Sequence, residues 1–435
     1  MGTTRTRRAG AVLTTAALAA AGLVTALAPA AATTAETTTD EPKVVFFAID
    51  GFDAEYLDGR VELPNIEALA RRGALTTGTG VMASVTNQSW SSAATGAYPE
   101  QHLNAAYYYD PAAGTVRGQS RAIAGETLGE ALAAAGKTVA SVQWFILQNR
   151  GVTYGDPDAL YTQPGGTCDK RADDAVAILE GRPVSSGGTR VTVPEVPDFL
   201  AMYCDDLDST GHASGDASED ILDALVRVDE QVGRVVQATK RAGTYWRTTF
   251  LLSGDHGITS YDHVNGPQTE AALDAAGFQA EWVSTNRRPS AETNVVLAGG
   301  GLTSVHLIGD LAGDASALPR VEEVLAGVEG IGSIYDRAEQ AAMHMAPAYG
   351  NLVVEPQPGW AMFDADAEHT RGRHGTTQEL SIAFLIAGSG VRPGAAPANP
   401  RLVDITPTVA HMLGVDSPAG VQGRVLTEAL VPARD

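Results

Sequence analysis

The strongest hydrophobic signals along the chain are short unbroken apolar runs separated by amphipathic segments. Lys43–Ile49, KVVFFAI, combines β-branched and aromatic residues without a polar break, the pattern of a strand buried on both faces. Runs at 137–144 (KTVASVQW), 197–203, Thr248–Ser253 (TTFLLS) and 380–387 predict further strands. Between them helical spacing recurs. Pro64–Ala70 carries Pro in its first turn, 126–135 ends at Gly136, and 217–242 is long and amphipathic. A last helix is expected at 401–413, with Thr406 as its N-cap ahead of Pro407. Alternation of strand and helix predicts an α/β fold, a mostly parallel central sheet with helices on both faces. The rhythm breaks between about 287 and 355. Gly-rich turns, strands at 303–308 and 351–354 and a helix at 318–328 there predict a small inserted α+β subdomain. No internal repeat is visible.

The N-terminus has the layout of an export signal. A basic start (Arg5, Arg7, Arg8) precedes an Ala-rich apolar stretch, and Ala28-Pro29-Ala30 has the form of a cleavage site. A membrane anchor is the alternative, but the stretch is rich in Ala rather than Leu and is followed by polar TTAETTTDEP. Residues 1–30 are therefore expected to be a signal peptide, 31–42 a disordered leader, and the protein secreted with no stable membrane anchor. Arg7-Arg8 hints at the twin-arginine route.

At 44% hydrophobic and 19% charged residues, composition is that of a globular chain. Against 52 Asp+Glu stand 30 Lys+Arg, a net charge of −22, which argues against a nucleic-acid-binding surface. An anionic substrate must then be held by local features, such as metal ions or helix N-termini. Cys168 and Cys204 are the two cysteines. Export allows them to form a bridge, worth roughly 3–4 kcal/mol in the chain-entropy model, and a pair of buried free thiols is the alternative.

In open α/β sheets ligands collect beyond the carboxyl ends of the strands. Asp50 follows the first strand, Asp205, Asp206, Asp208 and His212 follow the 197–203 strand, and Asp255-His256 follow TTFLLS. His374 lies just before the 380–387 strand, with Arg371 and Arg373 beside it. Thr86 stands in VMASVTNQSWSSAATGAYPEQH, ahead of small residues that predict a helix. There it is either an N-cap or a nucleophile beside free N–H groups, with Ser84 or Asn87 as alternative caps. Imidazole and carboxylate gathered at one edge suit a divalent metal, and so many Asp and His in one cleft would be costly without compensating cations.

The order Asp-Gly, S-V-T, T-G-x-Y-P-x-x-H, D-x-x-x-G-H, D-H-G and H-G resembles the alkaline phosphatase superfamily. Within it the chain is most similar to the type I phosphodiesterase/nucleotide pyrophosphatase branch. The closing run LVDITPTVAHMLGVDSPAGVQGRVL extends the likeness, which spans about 43–428. The resemblance implies an alkaline-phosphatase-like catalytic domain over 43–430 and two divalent metal ions, usually Zn²⁺. Asp208, His212 and His374 would hold one ion, and Asp50, Asp255, His256 and the Thr86 oxygen the other. Thr86 would attack phosphorus and form a phospho-threonine, two ions ~4 Å apart suiting in-line displacement. The substrate would be a small phosphorylated molecule such as a nucleotide.

The chain departs from the family in places. The nucleophile is followed by N-Q-S-W rather than F-P-N-H. Diesterase members place an Asn after the H-G-I motif to bind a phosphoryl oxygen. Here Tyr107 falls at that position without a gap, and Asn104 with a small shift; both are substrate-binding candidates. Phosphomonoesterases and phosphonoacetate-type hydrolases share the scaffold. The former usually add a cation for the third phosphate charge, the latter a lysine that VQWFILQN lacks. Outside the enzymes, the alternative is a metal-binding interaction protein.

Overall fold

A computed structural model of the chain describes residues 41–363 and 369–432. The expected signal peptide and all but the end of the leader lie outside the described residues.

A seven-stranded sheet forms the centre: β1 (Lys43–Ile49), β2 (Gly73–Thr79), β3 (Val139–Val142), β4 (Ala159–Thr162), β5 (Phe199–Cys204), β6 (Thr248–Ser253) and β7 (Ser381–Gly388), in spatial order β2-β7-β6-β1-β5-β3-β4. From β6 through β4 every pairing is parallel, and β7 runs antiparallel to both its neighbours. The sheet is thus mostly parallel, as the alternating pattern predicts, with one reversed strand that an apolar run cannot reveal.

Successive side chains of a strand point to opposite faces, and β1 shows the result. Val45, Phe47 and Ile49 enter one core with Val228, Val232 and Val235 of the long helix. Val44, Phe46 and Ala48 enter a second core with Trp90, Trp144 and Val409. The helices used below are α1 (Thr86–Thr95), α2 (Cys168–Leu179), α3 (Asp206–Ser214), α4 (Glu219–Arg241) and α5 (Ile405–Met412). The Ser218 hydroxyl caps α4, with Glu219 and Asp220 in its first turn and Lys240 and Arg241 in its last, charges that complement the helix dipole.

Helix α5 corrects one expectation. A 3-10 turn at Leu402–Asp404 starts the helical path early, so Thr406 lies inside it and its hydroxyl donates to the Ala93 carbonyl at 2.6 Å. Neither Ser84 nor Asn87 caps α1, whose N-cap position is Val85.

A second sheet of five strands covers Ala280–Trp282, Val295–Gly299, Thr303–Leu307, Leu352–Pro356 and Ile331–Tyr335 in spatial order, so it begins ahead of residue 287. It has its own core, in which Val295, Leu297 and Val305 meet Val321 and Leu325 of the helix Ala317–Ala326. Cys168 and Cys204 form a disulfide that ties the start of α2 to the end of β5. Among the described residues no helix is long and apolar enough to cross a membrane.

Candidate active site

Topology brings the distant motifs together. The parallel strands β1, β5 and β6 end at one edge and release Asp50, the α3 turn and Asp255-His256. Because β7 is reversed, its beginning lies at that same edge, Phe384 pairing with Ser253, and His374 arrives just before it. Strand β2 runs opposite to β7, Thr79 pairing with Ser381, so it too delivers the chain to this edge, where Thr86 opens α1.

The nitrogen and oxygen atoms that meet there are closely spaced. Asp208 Oδ1 lies 3.4 Å from His212 Nε2 and 3.5 Å from His374 Nε2. His256 Nε2 lies 3.2 Å from Asp50 Oδ1, 3.4 Å from Asp255 Oδ2 and 3.2 Å from the Thr86 hydroxyl. Asp208, His212 and His374 make one group able to hold a metal, and Asp50, Asp208 and His256 a second, so Asp208 faces both. The resemblance assigned Asp208 to one ion alone.

Each histidine is oriented by its far nitrogen. Nδ1 of His212 lies 2.9 Å from the Gly372 carbonyl, that of His256 3.0 Å from Gly257 and that of His374 2.8 Å from Ser84. A carbonyl only accepts, so Nδ1 carries the proton and Nε2 is turned toward the centre, the arrangement of a metal-binding imidazole. Tyr203, which the sequence reading missed, donates its hydroxyl to Asp50. Burial, then the Asp50 charge, raises the Tyr203 pKa, so it remains a donor.

Whether a metal fits can be judged from what the carboxylates lack. Asp50 Oδ1, Asp208 Oδ1 and Asp255 Oδ2 are buried and have no hydrogen-bond partner. Buried carboxylate oxygens are ordinarily satisfied, and leaving three orphaned together is costly. Burial, then the neighbouring Asp50 charge, raises the pKa of Asp208 to about 6 and that of Asp255 well above the usual range. Burial, then His256, holds His374 neutral. Imidazole nitrogens and bare carboxylate oxygens at this spacing fit a divalent metal ion.

A cavity of about 260 Å³ opens on this edge, with Thr86, Asp208, His212, His374, Tyr107 and Gln119 in its wall. Tyr107 takes a left-handed backbone angle, φ +57°, rare for a non-glycine residue. Asn104 is not brought to the wall. It is buried, and its side-chain NH₂ donates to the carbonyls of Ser120 and Ala122 at 2.9 and 2.8 Å, leaving no donor for a substrate. Ser84 braces the site, donating to the Thr376 carbonyl and accepting from the Gly375 N–H. Gly301 packs so tightly that a Cβ there would lie 1.9 Å from the His374 carbonyl oxygen.

A family model described as type I phosphodiesterase / nucleotide pyrophosphatase matches residues 44–377. The chain belongs to this family. Human ectonucleotide pyrophosphatase/phosphodiesterase family member 1 is 26% identical over 235 residues, covering 50% of this chain and 24% of that protein. A Myroides odoratus protein named calcium-transporting ATPase is 23% identical over 260 residues, 54% of this chain and 46% of its own length. The chain thus spans less than half the length of these curated relatives. Among solved structures, human ectonucleotide pyrophosphatase/phosphodiesterase 5 superposes with a TM-score of 0.67 at 16% identity, over 86% of this chain and 96% of that one. An inactive variant of the murine protein, in complex with AMP, gives 0.65 at 17% identity over 87% and 96%. At that identity the likeness bears on the fold, which is alkaline-phosphatase-like in this pyrophosphatase/phosphodiesterase family.

Proposed function

We propose that this chain is an exported metal-dependent phosphodiesterase or nucleotide pyrophosphatase, cleaving phosphoester or phosphoanhydride bonds with Thr86 as nucleophile. One observation carries the choice of diester over monoester. Among the described residues, the only Arg or Lys in the cavity wall is Arg373. Its guanidinium is already engaged, at 2.8 Å from Glu379 and 2.6 Å from the Trp360 carbonyl, with further contacts to Thr376 and Gln378. Among the described residues, no Arg or Lys in that wall is left free to meet the extra charge of a monoester dianion, whereas a diester carries a single charge.

In this reading Asp208, His212 and His374 hold one ion, and Asp50, Asp255, His256 and the Thr86 oxygen the other. Bound zinc would supply charge neutralisation, a lowered pKa for the Thr86 hydroxyl and polarisation of the phosphoryl group. The chain's own part is positional. Thr86 opens α1, so its hydroxyl lies beside the positive end of the helix dipole, where negative charge on phosphoryl oxygens is stabilised. Tyr203 fixes Asp50, and the backbone carbonyls fix the three imidazoles. Attack by the Thr86 oxygen on phosphorus expels one substituent, an alcohol or a phosphate, which takes up the hydroxyl proton. The other ester group stays on the threonine-bound phosphorus, and water then releases it as a phosphomonoester and restores Thr86.

A nucleotide substrate is supported by the AMP complex of the murine neighbour. Export is supported by the disulfide, since such bridges persist in oxidising compartments. The test compares bis(p-nitrophenyl) phosphate with p-nitrophenyl phosphate. Faster diester cleavage is expected, and faster monoester cleavage refutes the choice. A zinc-loaded protein inactive on a broad phosphoester panel would make it a binding protein instead.

A further inference from the structure

The phosphoryl group of a substrate at Thr86 needs a hydrogen-bond donor for a non-bridging oxygen, and Asn104 has none to give. Resting on the diesterase reading above, we propose that Gln119 supplies it, and that the neutrality of its carboxamide tunes the cavity to singly charged diesters.

The orientation of Gln119 is fixed by chemistry. Its Oε1 accepts the backbone N–H of Asn87, the residue after the nucleophile, at 3.0 Å. An N–H requires an acceptor, so the carbonyl end of the carboxamide must face Asn87 and the NH₂ end must face away. That NH₂ carries two donors and has no partner among the described residues, although Gln119 forms part of the cavity wall with Thr86, Asp208 and His374.

The segment behind it is held more firmly than a surface loop requires. Asn87 Nδ2 donates to the Ser120 carbonyl at 2.7 Å, and Asn104 Nδ2 to Ser120 and Ala122. The Ala124 N–H donates to the His102 carbonyl at 2.8 Å. Residues Gln119 and Ser120 are themselves exposed, so these bonds do not serve a core. They set the place of Gln119 relative to the first turn of α1. Asn104 therefore acts as a positioning residue for the donor rather than as the donor.

A neutral NH₂ can strengthen its bond as charge builds on the phosphoryl oxygen in the transition state, without the added attraction a cation gives a dianion. Steady-state kinetics on the zinc-loaded protein with bis(p-nitrophenyl) phosphate test this. Gln119→Ala should lower kcat roughly 10²-fold with a smaller change in KM, the effect of removing one transition-state donor. Gln119→Glu keeps the shape and the acceptor for Asn87 but turns an anion toward the substrate, and should lose at least as much. Gln119→Lys should raise the monoester-to-diester ratio of kcat/KM at least tenfold. A kcat for Gln119→Ala within tenfold of wild type overturns the donor role, and should that variant misfold, the isosteric Glu variant decides by the same threshold. An unshifted ratio in the Lys variant overturns the neutrality argument. Wild-type protein inactive on the diester would refute the diesterase reading itself, so the two failures are distinct.

Discussion

Removing the metal should make stability fall as pH rises, and Asp208 allows the size to be worked. Burial and the nearby Asp50 charge raise its pKa from 3.8 to about 6 in the metal-free site. The folded state therefore binds the proton more tightly than the unfolded state. Such a group contributes stability that is present below pH 3.8 and lost as pH rises through about 6. In full the loss is about 3 kcal/mol, of which about 2 kcal/mol falls between pH 4.5 and 7.5. His256 acts in the same direction at higher pH. Burial lowers its pKa, but the charges of Asp255 and Asp50 outweigh burial and raise it to about 10, so its contribution is lost from pH 6.5 upward. For a chain of this size the unfolding entropy is about 0.8 kcal/mol/K, which converts the Asp208 part to a Tm change of about 2–3 °C. The assay is scanning calorimetry of EDTA-treated protein from pH 4.5 to 7.5, beside Asp208→Asn, a neutral carboxamide of the same shape. Groups remote from the site cancel in that difference, whereas Asp255 and His256, on which the Asp208 charge acts, report together with it. The variant should lose about 2–3 °C less than wild type across the window, and zinc should restore wild-type Tm most strongly at the alkaline end. Equal slopes for the two proteins would refute the reasoning, because Asp208 would then ionise in the folded site without penalty.

The remaining predictions concern the nucleophile, the bridge and a backbone contact. Thr86→Ala should retain zinc, measured by elemental analysis, while diester hydrolysis falls on the order of 10⁴-fold or more; residual activity within tenfold of wild type would exclude Thr86 as nucleophile. Cys168→Ser opens a loop closed across 36 residues, worth about 4 kcal/mol, and should lower Tm by about 5 °C. An unchanged melt would mean that the loop is held without the bridge. Gly301→Ala forces a Cβ into the His374 carbonyl, so zinc affinity by competitive chelator titration should weaken roughly 10–100-fold. Unchanged affinity would show that the loop yields instead of the histidine.

What the sequence makes legible here follows from the kind of interaction involved. Lys43–Ile49 reads as a strand because burial on both faces demands an unbroken apolar run, and α4 because its apolar stripe repeats at the helical period. Strand direction has no such imprint. The apolar positions of β7 suit either sense, yet only the reversed sense starts β7 at the edge where β1, β5 and β6 end and so brings His374 to Asp208. Thr406 misleads as an N-cap because Thr-Pro carries the local signal, while the turn at Leu402–Asp404 is set by Asp404 bonding back to Arg401.

The same distinction governs the site. The meeting of Asp50, Asp208, Asp255, His212, His256 and His374 is anticipated because strand ends in an α/β sheet converge, so residue type and position suffice to nominate them. The atoms that aim them are not anticipated. The carbonyls of Ser84, Gly257 and Gly372 belong to every residue type, and Tyr203 sits on β5 as one more apolar position until its hydroxyl meets Asp50. Counting along the chain from His102 leads to Tyr107, which the fold does bring to the cavity wall, and with a small shift to Asn104, which it does not. The choice of Asn104 assumes that spacing in sequence tracks spacing in the fold. The turn between Tyr108–Asp110 and Thr115–Arg117 breaks that assumption by folding the chain back, so that Gln119, seventeen residues beyond His102, reaches the N–H beside Thr86 while Asn104 is turned into its support. A donor of this kind is found by asking which polar atom at the cavity wall remains unpaired, a question that only the folded chain answers.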